Sequence, residues 1–244
     1  MHRSALTASV LSAALGLALL PSIAAAGEDV DKVMGSITAH AGQSYGDLST
    51  VNGSVHVETG ARADDISTVN GSVHLEDGAT VANAETVNGS IRGGERVHTG
   101  DLETVNGSIR LGVQSQARSL QTVNGSIFTD RGTAVTKDVE TVNGAIGLVD
   151  TDVSGSLSTV NGDVTVGLNS HVRGGLTVEK PTSHWLPINI NSRRQRIIIG
   201  PGAVVDGPLV FKREVTLYVH STAHVGQITG ATAIPYSTPT APKE

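Results

Sequence analysis

The sequence predicts an all-β fold, a parallel β-helix (solenoid) with coils of about 18 residues. Three observations carry that expectation. The first is a repeat. Thr-Val-Asn-Gly-Ser starts at Thr50 and returns at Thr68, Thr86, Thr104 and Thr122. It then appears as Thr-Val-Asn-Gly-Ala at Thr141 and Thr-Val-Asn-Gly-Asp at Thr159, in steps of 18 residues with one step of 19. Fixed self-similarity of this length marks structural units that stack on their neighbours. The second is composition: β-branched residues and 29 glycines, 2% aromatics, and no apolar stripe of helical period. The third is alternation within each unit, which suits strands with tight corners.

Residues 1–26 come first and read as a secretory signal peptide. His2 and Arg3 make a basic start, residues 5–20 are apolar, and Ala24, Ala25 and Ala26 supply small residues for cleavage. The apolar run is too short and too rich in alanine to favour a membrane span. An exported chain, periplasmic or extracellular, is therefore expected, starting at Gly27. Removing Arg3, with no acid in the segment, takes the formal charge from −6 to about −7. The chain has no cysteine, which excludes a disulfide framework and thiolate chemistry. An acidic balance with so few rings also argues against nucleic acid as a partner.

Residues 27–178 carry the repeats. Alternation places Val51, Gly53, Val55 and Val57 on the inner face, with Asn52, Ser54 and His56 outside. A further apolar position lies three residues before each set: Leu48, Ile66, Ala84, Leu102, Leu120, Val139 and Leu157. A step of three breaks the alternation, so one corner is expected at the Ser-Thr or Glu-Thr pair between them. Thr59-Gly60, Asp77-Gly78 and Arg131-Gly132 mark a second corner. Gly53 and its equivalents sit either inward in a strand, the favoured reading, or at a bend of positive φ.

Asn-Gly is also a strong hairpin signal, which would give an antiparallel meander. Identical letters at identical offsets favour parallel coils instead. Asn52, Asn70, Asn88, Asn106, Asn124, Asn143 and Asn161 should then form a structural ladder of side-chain amides, about 4.8 Å per step. Residues 179–196 interrupt the pattern as an insertion with Trp185 and the basic run Arg193, Arg194 and Arg196. Residues 197–231 resume as terminal coils. Residues 232–244, rich in Pro and Thr, are expected to be a disordered tail.

The recurring Thr-Val-Asn-Gly unit behind a signal peptide resembles a bacterial family of secreted β-strand-repeat, adhesin-like proteins, a domain of unknown function. The resemblance covers residues 30–178 and implies architecture more than activity. The terminal coils are similar in rhythm to bactofilins, whose triangular β-helices polymerise end to end. Neither family implies catalytic residues.

No catalytic, cofactor-binding or metal site emerges from the sequence. His56 and His74 share an outward position one coil apart, but that column continues as Arg92, Arg110, Phe128, Gly147 and Thr165 and reads as a solvated face. His220 and His224 lack a single ligating turn. Asp64, Asp65, Asp150 and Asp152 lack the calcium repeat pattern. The reading is a non-enzymatic structural or adhesin-like protein, with a glycan or cell-surface ligand and self-association through the solenoid ends as its partners. A bactofilin-like scaffold and a carbohydrate-active β-helix enzyme, with Arg193, Arg194 and Arg196 gripping an acidic sugar, are the alternatives.

Overall fold

The computed structural model describes residues 27–181 and 194–242. The expected signal peptide and most of the insertion, including Trp185 and Arg193, lie outside them. The described residues form a stack of parallel strands with no helix. Each coil has three faces. On the second face eleven strands succeed one another, from Ile37–Ala39 to Ala233–Tyr236. Eleven levels at one strand spacing each give a stack of roughly 50 Å.

One coil shows how the sequence makes the faces. In Tyr45–Asn52, Leu48 and Thr50 point inward and Ser49 and Val51 outward. Asn52, Gly53 and Ser54 turn the first corner. Val55–Val57 then buries both valines. Gly60, with φ of 67°, turns the second corner, and Ala61 and Ala63 are buried on the narrow third face. Arg62–Asn70 runs from that face into the next copy of the first. The core is a single column of Leu, Ile, Val and Ala along the stack axis.

Three expectations change. Val51 and Val69 are among the exposed hydrophobics, whereas Thr50 and Thr68 are buried. Alternation runs unbroken from Leu48 to Thr50, and the corner falls at Asn-Gly-Ser rather than at Ser-Thr. The glycine of the repeat is neither an inward strand residue nor a positive-φ bend. A Cβ on Gly71 would overlap the carbonyl of Gly53, and the same holds at Gly89, Gly107, Gly125, Gly144 and Gly162, each over the glycine one coil earlier. Backbones approach so closely at this corner that no side chain fits. Finally, the expected disordered tail contributes a strand. Ala233–Tyr236 pairs with Val215–His220, and Tyr236 is buried, its hydroxyl donating to the Ile199 carbonyl at 3.3 Å.

The coils also absorb irregularity without losing register. The step of 19 places its extra residue between Val135 and Val139, where the previous coil needs only Ala117 to Leu120. The insertion lies between Val178 on the first face and Gln195 on the second. Val164 still pairs with Ile197 and Leu176 with Leu209 across it.

Candidate functional site

Four letters of the repeat, Thr, Asn, Gly and Ser, make bonds to a neighbouring coil. Asn70 Nδ2 donates to Asn52 Oδ1 at 3.0 Å, and Asn88, Asn106, Asn124, Asn143 and Asn161 continue the series at the same distance. Beside it, buried threonine hydroxyls donate to the glycine carbonyl of the coil before: Thr68 to Gly53, Thr86 to Gly71 and Thr104 to Gly89, each at 2.8 Å. The serine hydroxyls accept the N–H one coil on, as Ser54 does from Ser72 and Ser126 from Ala145, both at 3.1 Å. The threonine ladder was not legible in the sequence, because threonine read as a polar corner residue. Its hydroxyl finds that carbonyl acceptor at Thr50, Thr68, Thr86, Thr104, Thr122 and Thr141, while Thr159 is buried without one.

These ladders end at the insertion, and the chain beyond it closes them. Val178 takes the place of threonine and cannot donate. Gln195 Nε2 donates instead to Gly162 and Val160 carbonyls, at 3.2 and 3.0 Å. Asp163 Oδ1 accepts the Arg196 N–H at 2.9 Å. Arg213 Nη1 donates to the last asparagine oxygen, Asn161 Oδ1, at 2.5 Å. Two members of the basic run, Arg194 and Arg196, are thus engaged by their own chain. Arg194 pairs with Glu214 at 3.1 Å, and Arg196 lies over the Tyr218 ring at 5.2 Å and donates to the Pro242 carbonyl.

The histidines of the second face form a different environment. His56 Nε2 bonds Glu76 Oε1 at 2.8 Å, and Thr59 Oγ1 donates to Glu76 Oε2 at 3.1 Å. These two bonds, His56 first, hold the Glu76 carboxyl below the usual range. His74 lies beside His56, with ring centroids 6.1 Å apart. Partial burial, then the charges of Arg92 and His56, lower its pKa from the ordinary 6.5.

The remaining sequence candidates are dispersed. His220 Nδ1 meets Thr222 Oγ1 at 2.9 Å, while His224 is exposed on the next strand. Asp65 Oδ1 accepts from Asn83 at 2.8 Å, and Asp152 pairs with Arg173. Among the described residues no group of three or more His, Asp or Glu side chains is arranged to hold a metal. Nor is any helix there long and apolar enough to cross a membrane. Compared with known proteins, the chain matches no family model, no curated sequence and no solved structure.

Proposed function

We propose that the protein is an exported, non-enzymatic solenoid with a structural and adhesin-like role at the bacterial cell envelope. The observation that carries this reading is the division of labour around each coil. The Thr, Asn, Gly and Ser of the repeat bond neighbouring coils to each other, leaving long outward columns as surfaces to display. A stack of this kind is a rigid spacer rather than a container for chemistry. The signal-peptide character of residues 1–26 supports export. The test is retention of the purified chain on isolated envelope polysaccharide, with reducing ends assayed in parallel. Retention without new reducing ends is expected. Shortening of the polymer would overturn the non-enzymatic reading, and absence of retention would overturn the adhesive one.

A scaffold that assembles end to end, as the likeness to bactofilins implies, is the second reading. One observation favours it. The first strand, Glu28–Met34, pairs only with Tyr45–Asn52 among the described residues, and its Val33 and Met34 are 71% and 79% exposed. An edge of this kind is a template for another strand. Light scattering over a concentration series, with Val33→Lys as the blocked control, separates the two readings.

A further inference from the structure

The outward column of the second face changes character along the stack. Register partners give His56, His74, Arg92, Arg110 and Phe128 on successive levels. Two residues further along each strand, at the edge of the same face, stand Glu58, Glu76, Gly94, Gly112 and Asp130. The levels that carry an acid present an imidazole or a phenyl ring. The two levels that carry an arginine present glycine. A Cβ at Gly112 would meet the Gly94 carbonyl and one at Gly94 the Asp77 carboxylate, which accounts for the glycines but not for the arginines beside them.

Among the described residues neither arginine is paired with a carboxylate. Arg96, Arg118, Arg173 and Arg194 each pair with a carboxylate. Among the described residues Arg92 has no ion pair, and Arg110 only lies over the Phe128 ring at 5.0 Å. Their Cα atoms are register partners, about one strand spacing of 4.8 Å apart. Like charges stacked in this way oppose each other. The acids nearby are engaged: Glu76 by His56 and Thr59, and Asp77 by the Glu95 N–H at 2.8 Å. An open groove of about 500 Å³ runs along these levels, lined by His56, His74, Arg92, Arg110, Glu76 and Asp77. His74 lines the same groove, its pKa lowered first by burial and then by the charges of Arg92 and His56.

We propose that this groove binds an acidic polysaccharide, with a carboxylate held between Arg92 and Arg110. The proposal rests on the reading of the protein as a non-catalytic binding solenoid and names its ligand class. Arginine forks suit carboxylates, and an anion between the two removes their mutual repulsion. The level spacing of about 4.8 Å is close to the length of one pyranose ring, so an extended polymer can lie along the column. The Phe128 ring lies under the Arg110 guanidinium at 5.0 Å and supports it beside the groove. Gly147 leaves space for that ring, which lies where a side chain at Gly147 would stand. The chain's net charge of −6 and the shortness of the basic column disfavour nucleic acid.

The test measures binding of the purified chain to polygalacturonate, to neutral dextran and to single-stranded DNA, with envelope retention in parallel. The wild type should bind polygalacturonate, more weakly as salt rises, and should bind neither of the others. Arg92→Ser with Arg110→Ser should weaken binding about tenfold or more. Arg62→Ser, on another face, should leave it unchanged. Melting curves separate loss of the site from loss of the fold, because the double variant should melt no lower than the wild type. Equal binding by the double variant overturns the proposal, as does DNA binding as tight as polygalacturonate binding. Envelope retention that persists without polygalacturonate binding overturns the ligand class and leaves the adhesive reading standing. Loss of all retention by the wild type overturns that reading itself.

Discussion

Two columns of glycine obey opposite constraints. At Gly107 and its equivalents the limit is space, since a Cβ would overlap the carbonyl of the glycine before it. At Gly60 and Gly78 the space is open, and the limit is φ, at 67° and 70°. Only the second column admits other residues. Arg96, Gln114, Asp150 and Asn169 take its place in other coils with φ between 45° and 58°. Gly107→Ala should therefore destabilise the fold by about 3 kcal/mol or more in urea unfolding, because backbone must move. Gln114→Gly should stabilise it by about 0.5–1 kcal/mol. Relief of a left-handed residue, about 1–2 kcal/mol, exceeds the entropy cost of glycine, about 0.5–1 kcal/mol. A second residue-scale prediction concerns charge. Burial, and then Asp138, raise the Glu140 carboxyl above its ordinary 4.5. A raised carboxyl binds its proton more tightly in the folded chain. That stabilisation is present below 4.5 and is lost as pH rises through the raised value. Glu140→Gln should raise the melting temperature at pH 7, with the gain fading near pH 4. A gain independent of pH would contradict this.

At the scale of the strand, what could be read in advance and what could not divide at threonine. The repeat length and the constancy of its letters were enough for a parallel stack and for one column of asparagines, because only parallel coils repeat a residue directly above itself. The inward face of the first strand was not legible. Threonine looks polar, so the letters alone point Val51 inward and put Thr50 at the corner. The deciding fact is the acceptor: the Thr50 hydroxyl reaches the Gly35 carbonyl at 3.1 Å. No rule of composition reveals that acceptor before the coils are stacked. The histidine and arginine column was visible as a drift of residue types. Its carboxylate-free levels needed the register to be seen. The corrected faces make a direct prediction. Ile109→Asp should be severely destabilising, by several kcal/mol, because Ile109 is fully buried and the charge has no partner. Val105→Asp should cost about 1 kcal/mol or less, since Val105 faces outward and is half-buried. Denaturant midpoints of the two variants check the assignment, and equal losses would refute it.

For the molecule as a whole, each level needs only its neighbours. Removing residues 72–89 joins Gly71 to Ser90, its serine's equivalent 18 residues on, and leaves every ladder in phase. That deletion should fold, with a β-sheet circular dichroism spectrum and a modestly lowered melting temperature. Removing half as many residues should abolish folding, because it places corner residues against strands and outward side chains in the core. A half-coil deletion that melts like the full-coil one would show that register does not govern the stack. Among the described residues both ends keep one side unpaired: the first strand pairs only with Tyr45–Asn52 and the last, Ala233–Tyr236, only with Val215–His220.

The strand-to-strand bonds and the asparagine and threonine ladders all run along the stack, and this has a mechanical consequence. A pull on the two ends of the molecule loads the levels in series, with each bond stretched along its own direction. Such bonds part a few at a time instead of shearing together. One 18-residue coil released lengthens the chain by about 60 Å. A tether built in this way yields in even steps under tension, holding its load between them.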